Sequence, residues 1–346
     1  MPQYSFFALL LAATVPAVLA DGPPEMMGEK FNGLHVLDSP GGLQNLVGSS
    51  YTKSKWPWGT VPKLCHDTSV INNYCNPYDL EVYDITYSDC AIPTTVCRCN
   101  NSPMTIDTIA QRVGQLPIKA RQWNGYVSSF AGDYCSAYSD SYHNYFFGDC
   151  SDKESVFFHE LSHNLDRHVA GASLNDWYSL SQNWKDTVLK GSCVADNYAK
   201  QTWLESYAQV GVMAGYHATV QSIYTSHDVS CMVDQVNKVV GQLNSLWRKQ
   251  PGQTCDRYWI KDTTVCMGPA AKDSGNCPGF RAADAPEEVE GVVAVKAEVL
   301  PDEKQKKHDA LVKELQHHAE VAAGISPAKP AAEKKTKGKK GTKFRV

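Results

Sequence analysis

Apolar residues are spaced differently in successive stretches of this chain, and each spacing predicts a different kind of element. The first twenty residues run through Phe6-Phe7-Ala8-Leu9-Leu10-Leu11 and end in Val18-Leu19-Ala20. An apolar run closed by small residues is the pattern of an export signal, so residues 1–20 read as a signal peptide cut before Asp21. From Asp21 to about Gly59 the chain is rich in Gly, Pro and polar residues. That composition suits either a pro-segment or an irregular arm. From Thr68 to about Gly148, short β-prone runs at Leu80–Tyr87 and Tyr142–Phe147 alternate with turn residues, which predicts a small sheet. From Ser151 onward the apolar spacing becomes helical. Strands first and helices after predict an α+β domain.

Composition changes near Arg281, where cysteines and nearly all aromatics cease. Pro301–Ala323 predicts a charged helix carrying Leu311, Leu315 and Val321. Residues 329–346 hold eight Lys/Arg and one Glu, so the formal charge of −4 for the whole chain leaves −11 for residues 1–328. We therefore divide the chain into the signal at 1–20, a folded body at 21–281 and a low-complexity tail at 282–346, acidic and then Lys-rich. Such a tail lacks the apolar surface to fold alone and is expected to be disordered. It is either solvated without a partner or in contact with anionic polymers such as cell walls, glycans or nucleic acid.

Twelve cysteines, an even number, follow the export signal. In an exported chain they predict a body stapled by up to six disulfides, whose pairing is not legible in the sequence. Asn100-Asn101-Ser102 is a glycosylation sequon, disfavoured by Pro103. No other apolar stretch is long enough to span a bilayer. The expected product is a secreted monomer, free or associated with a cell wall.

The candidate chemistry lies in His159-Glu160-Leu161-Ser162-His163, an H-E-x-x-H run in a helical segment. Histidines four apart share one helix face and can bind one metal ion; the glutamate between them is left free to act as a base on water. Ser151 and Glu154 predict a capping box at the helix start, Gly171 a stop. Val156, Phe157, Leu161 and Leu165 form its buried side. Two buried, hydrogen-bonded histidines without a metal are the alternative.

Catalytic zinc takes three protein ligands and one open position, so a third ligand is required. The metzincin spacing needs Gly at 166 and His at 169, where Asp166 and Val169 stand. The Gly-Thr-x-Asp segment of deuterolysin-type enzymes is absent. Asp166 reads as a partner that orients an imidazole. The best third ligand is Glu205, in the first turn of a second helix entered at about Thr202 with Tyr207, Ala208 and Val212 on its packed side. Thr202-x-x-Glu205 is also a capping box, in which Glu205 would merely cap its helix.

His159-Glu160-Leu161-Ser162-His163-Asn164-Leu165-Asp166, then Tyr198, Glu205 and an aromatic-Ala pair, resemble the catalytic domain of lethal-factor-like zinc metallopeptidases, a gluzincin group, over about Ser151 to Gly215. The resemblance implies a zincin-like fold, Zn²⁺ held by His159, His163 and Glu205, Glu160 as general base, and Tyr198 as the residue that stabilises the oxyanion. Ser162 stands where that family usually has Gly, and Gln209 follows Ala208 where it often has an acid. The export signal, many cysteines and Lys-rich tail also resemble secreted fungal conidiation-specific proteins.

The expected function is therefore that of a secreted zinc-dependent metallopeptidase acting on polypeptide substrates. A strand near Tyr142–Phe147 is expected to align an extended peptide by edge pairing. A non-catalytic secreted zinc-binding protein and a cell-wall protein on an inactive zincin scaffold are the alternatives. His143 is expected on the surface or in the core, with an approach to the site as the alternative. His317 and His318 are expected to be a solvated pair, with loose metal binding as the alternative.

Overall fold

A computed structural model of the protein describes residues 22–171, 176–267, 292–295 and 301–325. Residues 1–20, expected to be a signal peptide, the Lys-rich stretch 329–346 and Cys277 lie outside the described residues. A mixed six-stranded sheet is formed by β1 (Tyr51–Lys55), β2 (Leu80–Tyr87), β3 (Cys90–Cys99), β4 (Tyr126–Phe130), β5 (Ser136–Asp140) and β6 (His143–Phe147), in the spatial order β1-β2-β3-β4-β6-β5. The β1–β2, β2–β3 and β5–β6 pairs are antiparallel; β3–β4 and β4–β6 are parallel. Every residue of β4 and β6 is buried, as expected of inner parallel strands covered on both faces. The strand at Tyr142–Phe147 is thus an inner strand, and the edge beside the helices is β5. A tight turn after β5 sends the chain back inward to form β6 between β5 and β4, which leaves β5 with a single neighbouring strand.

Two hydrophobic layers flank the sheet. Phe146 of β6 packs with Phe157, Phe158 and Leu161 on the helical side, among helices α1 (Ile106–Gln115), α2 (Glu154–Leu165), α3 (Trp203–Thr219) and α4 (Val233–Trp247). Tyr145 and Phe147, pointing the other way by strand alternation, join Tyr126, Phe130, Tyr138 and Tyr74 on the far side. Helix α3 is buried over Trp203–Tyr216 without a polar face, so it forms the axis of the helical layer.

The arm, described over 22–59, is built into the body: Leu37 and Leu43 are fully buried against the helices. It also supplies the start of α2. The Ser151–Glu154 capping box does not form; Glu154 pairs with Arg112 at 2.8 Å. The cap is tertiary: Asp38 accepts from the Ser155 N–H and hydroxyl, both at 2.6 Å. The far end of α2 continues into a single wide turn, Asp166–Ala170, and stops at Gly171.

Five disulfides join Cys65–Cys97, Cys75–Cys99, Cys90–Cys255, Cys135–Cys150 and Cys193–Cys231. Cys266 is disulfide-bonded as well. The Cys135–Cys150 bridge fastens the approach to β5 to the approach to α2, and so sets the edge strand beside the H-E-x-x-H helix. The charged helix expected over Pro301–Ala323 is present as α5 (Asp302–Ala322). It is docked, with Leu315 and Ala319 buried in the far layer, so this part of the 282–346 segment belongs to the folded body. The protein is thus a disulfide-stapled α+β fold, and no described helix is long and apolar enough to cross a membrane.

Candidate metal centre

The site forms where α2 crosses α3 at close range. A Cβ on Gly211 would fall 2.3 Å from Ser162 Oγ, and one on Gly215 2.4 Å from the Phe158 ring. Glycine at these positions lets the backbones approach. Ser162 therefore needs no glycine of its own; the missing side chain is on the facing helix. The Ser162 hydroxyl is satisfied by donating to the Phe158 carbonyl at 2.7 Å.

Across this contact the predicted ligands come together. Glu205 Oε2 lies 2.9 Å from His159 Nε2 and 3.5 Å from His163 Nε2, and the two ring nitrogens are 3.1 Å apart. All three residues are buried. Glu205 Oε2 meets no donor in hydrogen-bond geometry. Two imidazole nitrogens and a carboxylate oxygen crowded on one point, with that oxygen unsatisfied, fit a divalent cation of the zinc type, and only His159, His163 and Glu205 among the described residues form such a group. Thr202 does cap α3, its Oγ1 accepting from Glu205 N–H at 3.1 Å, while the Glu205 carboxylate turns to the histidines. Half of the capping box forms and the other half is given up to the site.

Burial opposes charge on all these groups, and the carboxylate decides the outcome. Against that burial, the two imidazoles beside it hold Glu205 well below the usual carboxylate range. Burial disfavours the His159 cation, yet Glu205 raises His159 to about 9; burial keeps His163 below its ordinary value. Glu160 is buried beside them with Oε2 unpartnered, and burial pushes its carboxyl up to about 8. Tyr198 sits in a short turn before α3, and its hydroxyl donates to Glu205 Oε1 at 3.2 Å.

Gln209, which departs from the acid expected there, has a defined task. Its Oε1 lies 3.0 Å from His159 Nδ1, and its Nε2 donates to Asp196 Oδ2 at 2.7 Å. A neutral amide between imidazole and carboxylate fixes the ring so that Nε2 faces the ligand cluster. The signal was in the sequence: Gln209 follows Glu205 by four residues and shares its helix face. Asp166 does not orient an imidazole. Its Oδ1 accepts from Ser179 N–H at 2.9 Å and so anchors the next loop, and burial lifts it to about 7. His143 is not at the site: it lies on the far face of the sheet, 2.8 Å from Ser128 Oγ and stacked on Tyr145. His318 is not a freely solvated residue: it lines the cleft of about 330 Å³ that opens onto His159, Glu160 and Tyr198.

The profile of the conidiation-specific protein Con-13 family matches residues 29–319. This chain belongs to the Con-13 family. Conidiation-specific protein 13 of Neurospora crassa is 77% identical over 346 residues, covering 100% of both chains. The Con-13 match spans the arm, sheet and helical layer and reaches Ala319 in α5, so the family relationship covers the candidate metal centre and most of the helix beside it. No solved structure matches the chain.

Proposed function

We propose that this Con-13 family protein is a secreted zinc-dependent metallopeptidase with a zincin-like arrangement, related in its site to the lethal-factor-like gluzincins. The observation that carries the reading is the convergence of His159 Nε2, His163 Nε2 and the unsatisfied Glu205 Oε2 behind a cleft lined by His159, Glu160 and Tyr198. An antiparallel edge strand beside the H-E-x-x-H helix adds a surface for an extended peptide. The export signal and the disulfides support an extracellular location.

His159, His163 and Glu205 would hold Zn²⁺, which when bound would lower the pKa of a water and polarise the scissile carbonyl. Glu160, buried beside the ligand group but not part of it, receives the proton and passes it to the leaving amine. Tyr198, whose hydroxyl donates to Glu205 Oε1, would move that hydrogen bond to the carbonyl oxygen as that atom gains charge. Gln209 and Asp196 keep His159 in one orientation throughout.

The test is metal analysis of the purified protein together with a peptide-library digest. About one zinc per chain is expected, with cleavage lost on chelation. Glu160→Gln should retain zinc and lose cleavage by about 10²–10⁴-fold. Tight zinc without cleavage of any library would favour the non-catalytic zinc-binding alternative, and a protein that takes up no zinc would retire both.

A further inference from the structure

The two edges of the sheet are treated differently. Four of the five β1 residues are exposed, including Lys53 and Lys55, a common way to leave an edge open yet unattractive to pairing. None of the β5 residues is exposed, because α5 lies along that strand. His308 Nε2 is 3.2 Å from Asp140 Oδ1 at one end, and Ser136 Oγ donates to the Ala319 carbonyl at 2.7 Å at the other. Helix and strand therefore run in opposite directions. Eleven residues of helix rise roughly 16 Å and four of strand roughly 13 Å, so α5 follows the whole of β5.

The docking is built from several independent fastenings. Leu315 and Ala319 are buried among Tyr74, Tyr138 and Phe147. Asp133 N–H donates to the Ala323 carbonyl at 2.7 Å. Glu320 accepts from Tyr74 OH, and Lys304 pairs with Asp176 at 2.9 Å. The end of this helix reaches the chemistry: His318, Ala319 and Ala322 line the same cleft as His159, Glu160 and Tyr198, together with Ser136 and Ala137 of β5. His318 Nδ1 is buried there without a hydrogen-bond partner.

We propose that α5 is an autoinhibitory segment that covers the substrate edge β5 and closes one side of the metal cleft, so that the protein cleaves peptides only slowly until α5 is displaced. The inference rests on the peptidase reading of that cleft. A peptide aligned by strand addition must use the outer side of β5, where α5 lies, and its side chains beside His159 must take the place of His318 and Ala322. Release of α5 exposes both at once.

The experiment uses the full chain loaded with zinc. Leu315→Asp removes the main apolar anchor of α5, and Leu315→Met is the control. Three quantities are read: hydrogen exchange over 302–322, the rate at which dipicolinate strips zinc, and peptide hydrolysis. In Leu315→Asp we expect fast exchange in α5, at least about tenfold faster stripping and at least about tenfold faster hydrolysis. Fast exchange with unchanged stripping and hydrolysis overturns the proposal and reduces α5 to a cover against edge pairing. Faster stripping without hydrolysis in any form supports the cover and refutes the peptidase reading; absence of zinc from every form overturns both. Should Leu315→Asp fail to fold, Lys304→Ala/Glu320→Gln, which touches only polar fastenings, is read by the same three measurements against the same outcomes.

Discussion

The H-E-x-x-H helix begins on a carboxylate 117 residues away in sequence, and Asp38→Ala tests that dependence. The loss of an N-cap acceptor costs about 1–2 kcal/mol. The Ser155 N–H and hydroxyl, both buried, then lack partners, which brings the total to about 2–4 kcal/mol. A buried charge works in the other direction. Burial above all, assisted by Glu154 and opposed by the Ser155 bonds, pushes Asp38 from 3.8 to about 6. The folded-state value lies above the unfolded one, so the native state holds the proton more tightly. The stability that Asp38 contributes is fully present below about pH 4 and is lost as pH rises through about 6. A gap of roughly two pH units corresponds to about 2–3 kcal/mol.

Asp38→Ala should therefore cost about 2–4 kcal/mol near pH 4.5 and about 1 kcal/mol or less near pH 7.5. Asp38→Asn keeps an acceptor for the Ser155 N–H and offers its amide N–H to the hydroxyl. It should match the parent near pH 4.5 and exceed it by about 2–3 kcal/mol near pH 7.5. Urea unfolding with the disulfides intact, extrapolated linearly, measures all three proteins. The reasoning is refuted if either variant keeps the same offset from the parent at both pH values, or if Asp38→Ala costs less than about 0.5 kcal/mol near pH 4.5.

The metal centre yields two further expectations. Glu205→Ala leaves two imidazoles and no carboxylate, so zinc affinity should fall by more than the roughly 10–100-fold typical of an outer partner; unchanged affinity in competition with a chromophoric chelator would dismiss Glu205 as a ligand. Gln209→Ala should weaken zinc by about 10–100-fold while Gln209→Glu, which keeps an acceptor for His159 Nδ1, restores most of it; equal losses in the two variants would show that Gln209 acts through packing alone.

Much of the site was legible because its parts are local. The four-residue spacing of His159 and His163 puts two rings on one helix face, and the helix holding Glu205 announces itself through Thr202 and an apolar run. The assignments that failed depend on partners remote in sequence. Ser151 and Glu154 satisfy the capping pattern, yet Asp38 from the arm reaches the helix end first, and Arg112 takes Glu154. Asp166 has the right phase to serve an imidazole, but the Ser179 backbone offers it a donor. The expectation that His143 lies on the surface or in the core does hold: strand alternation buries it on the far side of the sheet.

Periodicity and residue type are properties of a few consecutive positions, so the α+β character, the paired imidazoles and the helix borne by Pro301–Ala323 could be read from the chain alone. Strand order, helix crossing and docking depend on which distant surfaces meet. They made β5 the edge, let Gly211 and Gly215 bring Glu205 onto the two histidines, paired the cysteines, and laid α5 against the cleft. A charged helix carries in its own sequence a stripe of Leu311, Leu315 and Ala319 but no record of the partner that buries it. Only the fold brings Tyr74, Tyr138 and Phe147 together as that partner.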